Sequence, residues 1–288
     1  MMGHSEVITG PTASGKTALA LQRAEEDPDI EIVNADAALL YKGFNIGTAK
    51  PSVEIRAKIP HHLIDILDPD QRFSAAEYAD LARNSIRAIL ARGKRPIVVG
   101  GTGFYIDALF FGITPLDADE KKLEEARELV SQEMKEFGFD DMLHRLQSID
   151  TELYIQISRE KNPRRLERAW EFYYATGIPL GEARKEKPTP FEFEPVFTLL
   201  NMGREELHTR IVMRIDEMLA AGWIDEVRQL VATGITPDMP AMNAIGYREL
   251  TAVLQGGKSV KEAREEIIIR TRQFAKRQET WMKRYKNS

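Results

Sequence analysis

Gly10, Pro11, Thr12, Ala13, Ser14, Gly15, Lys16 and Thr17 carry the spacing G-x-x-x-x-G-K-T. The run follows the apolar pair Val7 and Ile8 and precedes helix-forming residues 18–24. In that strand–loop–helix order, backbone amides and the positive end of the helix converge on one point, which suits a polyphosphate. Lys16 adds a point charge, and the Thr17 hydroxyl is placed to hold a magnesium ion. Four fixed residues at fixed spacing make a chance turn a poor account. Taken alone, the loop is a nucleotide-binding motif that leans towards ATP; what it implies is a diphosphate or triphosphate.

Asp36 ends the next β-rich run. A carboxylate facing a phosphate loop can hold magnesium or take a proton from an attacking group. An Asp at a strand-to-helix junction is equally often an N-cap, and both readings stand. Gly100, Gly101, Thr102 and Gly103 follow another apolar run. They read first as a tight turn, and second as a loop of amides which, with the Thr102 hydroxyl, closes around a second ligand. Arg210 and Arg214 are four apart and share a helix face, where two guanidinium groups can clamp a diphosphate. On the residues alone, pairing with Glu206, Asp216 or Glu217 is the favoured account. The five histidines lack metal-ligand spacing, and with no cysteine there is no disulfide or thiolate zinc site.

The elements that must position these groups alternate. Residues 7–9, 30–35, 62–67 and 96–99 read as strands and 75–91 as a helix, so a parallel sheet with helices on both faces is expected. Ligands then sit at the carboxyl ends of the strands, where Thr17, Asp36 and Thr102 would meet. From residue 116 the chain turns charged and helical, over 117–137, 140–147 and 162–176. Residues 185–195, with Pro188, Pro190 and Pro195, read as a linker into a strand at 196–201. Helices at 205–221, 224–232 and 260–285 follow, with a turn at Gly246 and Tyr247. The expected fold is α/β: a P-loop NTPase-like parallel sheet over 1–115 and 195–288, with a small helical domain inserted at 116–194.

Net charge is −5, which argues against a general nucleic-acid binder. Its distribution is uneven. Residues 264–288 hold eight Lys/Arg against three Glu, and residues 158–168 hold five basic against two acidic residues. Two basic segments on an acidic chain point to a local polyanion site, with a solvated helix face as the competing account. Phe274 and Trp281 are seven apart and should share a core face, leaving Lys276 and Arg277 free to follow a phosphate backbone. The most apolar stretch, 96–113, carries Asp107 and several glycines, so a membrane span is a poor reading. The first strand begins almost at once, leaving no room for a signal peptide; a cytoplasmic enzyme is expected.

Together these stretches resemble the tRNA dimethylallyltransferases, also called tRNA isopentenyltransferases. The resemblance is collinear, through residues 10–17, 34–51, 60–65, 100–105, 164–169, 244–247 and 271–281. It implies transfer of a five-carbon prenyl group from dimethylallyl diphosphate to the exocyclic amine of an adenosine beside the tRNA anticodon, with Mg2+. It casts Asp36 as general base, Lys16 and Thr17 as holders of the diphosphate and its magnesium, and Arg214 as aid to the leaving group. Thr102 would lie beside the adenosine, with Ala37, Ala38 and Leu39 on the tRNA side of Asp36. Arg164, Arg165, Leu166, Glu167 and Arg168 would grip the anticodon stem-loop. So would Asn243, Ala244, Ile245, Gly246, Tyr247 and Arg248, with Lys276 and Arg277, on a protein expected to be a monomer. The chain departs from the family at Ala37, usually Ser, and Leu39, often Gln, losing a hydroxyl and an adenine-reading amide. The alternatives are a prenyltransferase of free adenine nucleotides, a P-loop small-molecule kinase and a nucleotide-dependent switch protein.

Overall fold

The computed structural model describes residues 3–113, 119–185 and 188–287. The element order is β1 (Gly3–Thr9), α1 (Lys16–Glu26), β2 (Ile30–Asn34), α2 (Val53–Lys58), β3 (His61–His62), α3 (Ala75–Ala91), β4 (Arg95–Gly100) and α4 (Gly103–Phe111). Five helices follow: α5 (Glu120–Glu136), α6 (Gly138–Leu146), α7 (Thr151–Glu160), α8 (Pro163–Thr176) and α9 (Leu180–Ala183). The chain then continues through β5 (Phe193–Leu199), α10 (Arg204–Ala220), α11 (Trp223–Ala232), α12 (Tyr247–Leu254) and α13 (Val260–Met282). It divides into two compact units, Met1–Gly112 with Pro190–Ser288, and Ile113–Thr189. The boundary expected at 115/116 lies outside the described residues.

In the first unit all five strands are parallel, in the order β3-β2-β4-β1-β5. Thr9 is level with Gly100 in the register, and Asn34 with Val99. The loops leaving β1, β2 and β4 therefore start at one height, which is what an edge-on ligand site requires. The central strands β2 and β4 are β-branched runs buried on both faces, and Ile8, Ile30, Ile32, Ile97 and Val99 pack with Ala20 and Ala24 of α1. Pro195 falls inside β5, where an edge strand can spare the missing N–H. β3 is shorter than the expected 62–67, because Leu63 (φ 61°) and Asp65 (φ 56°) turn left-handed and end it. A second core lies among α10, α11, α12 and α13, around Trp223, Tyr247 and Phe44.

Helix ends follow side-chain chemistry. α3 and α13 each open on a capping box, Ser74 with Glu77 and Ser259 with Glu262. α4 shows no amphipathic stripe because Tyr105, Ile106, Ala108, Leu109 and Phe110 are all buried. The second unit is helical. Val130, Met142, Leu146, Leu153, Ile157, Leu166 and Trp170 form its core. Asn162 caps α8, Pro163 sits in its first turn, and Gly177 ends it in a left-handed conformation. No described helix is long and apolar enough to cross a membrane.

Candidate functional site

The phosphate-loop residues wrap the start of α1. Gly15 (φ 92°) and Ala13 (φ 64°) are both left-handed, which turns the chain tightly before the helix. Lys16 folds back inside this loop, its Nζ donating to the Gly10 carbonyl at 2.9 Å and the Pro11 carbonyl at 2.8 Å. The residue keeps some exposed surface, but its ammonium is the enclosed end. Burial lowers the Lys16 pKa to about 8; the Asp36 charge opposes that shift and the Arg214 charge adds to it. Thr17 is exposed at the mouth, and the Ser14 hydroxyl is buried with no partner.

Asp36 leaves β2 on a backbone held by Asn34. The buried Asn34 accepts from the Asp36 amide at 2.9 Å and donates to the carbonyls of Asp36 (3.0 Å) and Leu63 (2.8 Å). The Asp36 Oδ1 accepts from the Ala38 amide at 3.0 Å, capping a 3-10 turn over Ala37–Leu40. Asp36 is therefore an N-cap, and it also lines the cleft. The Thr102 hydroxyl accepts from the Ala37 amide at 3.0 Å, and the Thr102 amide donates to the Ala35 carbonyl at 3.1 Å. The loop after β4 thus holds the loop after β2.

A cavity of about 180 Å³ opens at this edge, lined among others by Thr12, Lys16, Thr17, Asp36, Leu39, Thr48, His61 and Arg214. The two arginines of α10 part company here. Arg210 pairs with Glu206 at 3.0 Å, whereas Arg214 lines the cavity and has no ion pair or hydrogen bond among the described residues. Burial lowers the Arg214 pKa, and the charges of Asp36 and Glu217 oppose the shift. Lys16, Asp36 and Arg214 form one interacting charge group.

Among the described residues no cluster of three or more His, Asp or Glu side chains could cage a metal. Magnesium does not need one; it keeps several waters and binds through one or two protein oxygens plus substrate phosphates. The Thr17 hydroxyl, lining the cavity at the start of α1, is a hard oxygen that fits such an ion.

The glycines after β4 serve close approach rather than a turn. A Cβ on Gly100 would lie 2.1 Å from the Ala35 backbone, one on Gly101 2.1 Å from Gln278 Nε2, and one on Gly103 2.2 Å from the Trp281 ring. Gln278 was not singled out by the sequence. It is buried, accepts from the Thr12 amide at 2.7 Å and donates to the Gly101 carbonyl at 2.9 Å. The buried face of α13 here is Ala275, Gln278 and Met282; Phe274 and Trp281, expected in the core, are half-buried beside it.

Other expected binding residues are structural. Trp223 is packed between Gly47 and Gly246, where an added Cβ would lie 2.1 Å and 2.0 Å from its indole. Glu226 accepts from the Asn45 and Ile46 amides and from the Tyr247 hydroxyl. This hub joins the 47–50 and 244–247 stretches, and the Lys50–Asp65 ion pair ties in the 60–65 stretch. Gly246 and Tyr247 are thus interior and offer a polyanion no surface. Ala244 and Ile245 are half-buried; Asn243 and Arg248 are exposed, Arg248 donating to the Pro237 carbonyl.

In the second unit Leu166 is likewise core. Arg164 pairs with Glu167 and Glu171, Arg168 with Glu171, and Arg165 with Glu160, so this basic run is internally compensated. Lys276 and Arg277 are exposed, with Arg277 over the Phe274 ring.

Comparison with known proteins gives one consistent picture. The family described as IPP transferase matches residues 39–285. The chain is 44% identical over 276 residues to tRNA dimethylallyltransferase 1 of Pelobacter propionicus, covering 96% of this chain and 88% of that protein. The tRNA dimethylallyltransferase of Geobacter sulfurreducens is 42% identical, with 96% and 88% covered. A crystal structure of tRNA delta(2)-isopentenylpyrophosphate transferase from Staphylococcus epidermidis superposes with a TM-score of 0.67 at 36% identity, covering 98% of this chain and 90% of that one. A eukaryotic dimethylallyltransferase acting on tRNA superposes with a TM-score of 0.77 at 29% identity, covering 97% and 70%.

Proposed function

The chain belongs to the IPP transferase family, and on that premise we propose how its own residues carry out the family's prenyl transfer. The reaction moves a dimethylallyl group from dimethylallyl diphosphate to the N6 amine of the adenosine 3′ to the anticodon of a tRNA. The C–O bond to the diphosphate breaks, an N–C bond forms, and the amine loses a proton. The observation that carries the assignment of roles is the meeting of Lys16, Asp36 and Arg214 in one cleft at the carboxyl edge of the sheet.

The diphosphate sits on the amides of the 10–17 loop and the start of α1, where Lys16 trades its two carbonyl partners for phosphate oxygens. Arg214, without an ion pair, takes up the charge that develops as the diphosphate leaves. The Thr17 hydroxyl would hold magnesium, which would supply further neutralisation of the diphosphate. Asp36 accepts the amine proton, and Thr102 fixes the adjoining Ala37 amide. Leu39 lends the cleft an apolar wall suited to the prenyl chain. On the tRNA side we assign the exposed Lys276, Arg277, Asn243 and Arg248, with the helical unit 113–189 as a second grip. A cytoplasmic monomer fits these roles, and the phosphate loop serves the prenyl diphosphate rather than ATP.

The test is to incubate the protein with labelled dimethylallyl diphosphate, magnesium and either unmodified tRNA or AMP. Label is expected on tRNA. Label on AMP alone would make the enzyme a free-nucleotide prenyltransferase, and phosphotransfer from ATP without prenyl transfer would make it a kinase.

A further inference from the structure

One buried side chain bridges two loops of the site from a distant part of the chain. Gln278 comes from the last helix, yet its amide lies between the loop after β1 and the loop after β4. Its Oε1 accepts the Thr12 amide at 2.7 Å and its Nε2 donates to the Gly101 carbonyl at 2.9 Å, with the residue only 5% exposed. Thr12 belongs to the phosphate loop and lines the cleft. Gly101 precedes Thr102, whose hydroxyl holds the Ala37 amide next to Asp36. The three loops at the sheet edge are thus linked in series: Thr12, Gln278, Gly101–Thr102, Ala37–Asp36. Gly101 has no room for a Cβ because Gln278 Nε2 occupies it, so the approach is close packing and not a stray surface contact. The helix is anchored one turn beyond this contact, with the Thr9 hydroxyl against Met282 and the Trp281 indole on Asp107.

We propose that Gln278 is a positioning residue for the transfer: it sets the distance between the diphosphate loop and the Thr102–Asp36 loops, and so between the leaving group and the base. The proposal rests on the function assigned above. An amide is the group suited to this place, because it accepts from an N–H on one side and donates to a carbonyl on the other without bringing charge. Misplacement by about an ångström costs on the order of a hundredfold in rate where two groups must be aligned.

The decisive comparison uses Gln278→Leu, which loses both bonds, and Gln278→Glu, which keeps the shape. A neutral carboxylic acid can accept from Thr12 and donate to Gly101, whereas a carboxylate opposes the Gly101 carbonyl. Transfer to tRNA under single turnover, inorganic pyrophosphate binding by calorimetry and the melting temperature are measured for both variants and the wild type. Gln278→Leu is expected to transfer about a hundredfold more slowly and to bind pyrophosphate several-fold more weakly. For Gln278→Glu, the rate relative to wild type should rise as pH falls and the acid takes up its proton. Two results overturn the proposal. One is wild-type transfer and pyrophosphate binding by a folded Gln278→Leu. The other is a collapse in melting temperature of both variants with no recovery of Gln278→Glu at lower pH, which would make Gln278 a packing residue. Pyrophosphate binding judges the clamp whatever the acceptor; a wild type that labels no tRNA counts against the proposed function instead.

Discussion

Asp36 accepts the backbone amide of Ala38 at 3.0 Å while lining the same cleft as Lys16, so one carboxylate both caps a turn and faces the phosphate-loop cleft. The two jobs can be separated by substitution. Asn caps about as well as Asp but cannot take a proton. Asp36→Asn should therefore fold and bind tRNA like the wild type while transferring prenyl some 10²–10⁴-fold more slowly. Asp36→Ala should lose the same rate and in addition about 1 kcal/mol of stability. Rapid-quench transfer assays beside denaturant unfolding check both; normal turnover in Asp36→Asn would remove Asp36 as the base.

Lys16 sets a pH dependence for diphosphate binding. In the free protein burial holds its pKa at about 8, and a bound diphosphate stabilises the ammonium and moves the pKa up. Affinity is then fully developed below pH 8 and falls as pH rises through 8, by at most about tenfold per unit. Binding above pH 8 takes up protons, which calorimetry in buffers of different ionisation enthalpy reads directly. Lys16→Met should bind weakly with no proton uptake in that range. The same shift bears on folding: between pH 8 and 10.5 the unfolded chain holds more protons at Lys16, so the free protein gains stability as pH rises there.

Gly246 is held by packing and by conformation together. Its φ is 103°, and a Cβ there would lie 2.0 Å from the Trp223 ring. Gly246→Ala should cost about 3 kcal/mol or more, from overpacking and a strained backbone combined. Gly256 (φ 74°) has open space around it, so Gly256→Ala should show only the conformational part, about 1 kcal/mol. Urea midpoints of the two variants give the difference. Equal losses would mean that Trp223 moves aside freely.

Much of this arrangement was legible in the residues. The phosphate loop has a fixed spacing with a mechanical reason, and the strands before it and before Asp36 are short β-branched runs. The helical runs 75–91 and 260–285 stood out in the sequence, and the structure has α3 and α13 there. What stayed hidden depends on contacts far apart in sequence. Gln278 and Thr12 are 266 positions apart, and nothing in either local run announces the pair. Gly246 reads as a turn, yet it starts α12 while pressed against Trp223. α4 carries no period because it is buried nearly all round. Charge counts leave out pairing. The basic residues at 164–168 lie in ion pairs with Glu160, Glu167 and Glu171, which a tally of signs does not show.

That compensation distinguishes the two basic segments and yields a prediction about salt. Lys276 and Arg277 are exposed on α13 and form no ion pair among the described residues, so RNA phosphates can replace their counterions directly. Arg164 and Arg165 must first give up glutamate partners, one of which, Glu171, is almost fully buried and would be left with fewer partners. Lys276→Gln with Arg277→Gln should weaken tRNA binding uniformly across tRNA sequences. It should also flatten the slope of log affinity against log salt by about 1–2. Arg164→Gln with Arg165→Gln should change that slope by less, and should lower the melting temperature because Glu171 loses a partner. Filter binding over a salt series reads both pairs. An unchanged slope for the α13 pair would return that face to ordinary solvated surface, and a larger change for the α8 pair would reverse the ranking of the two grips.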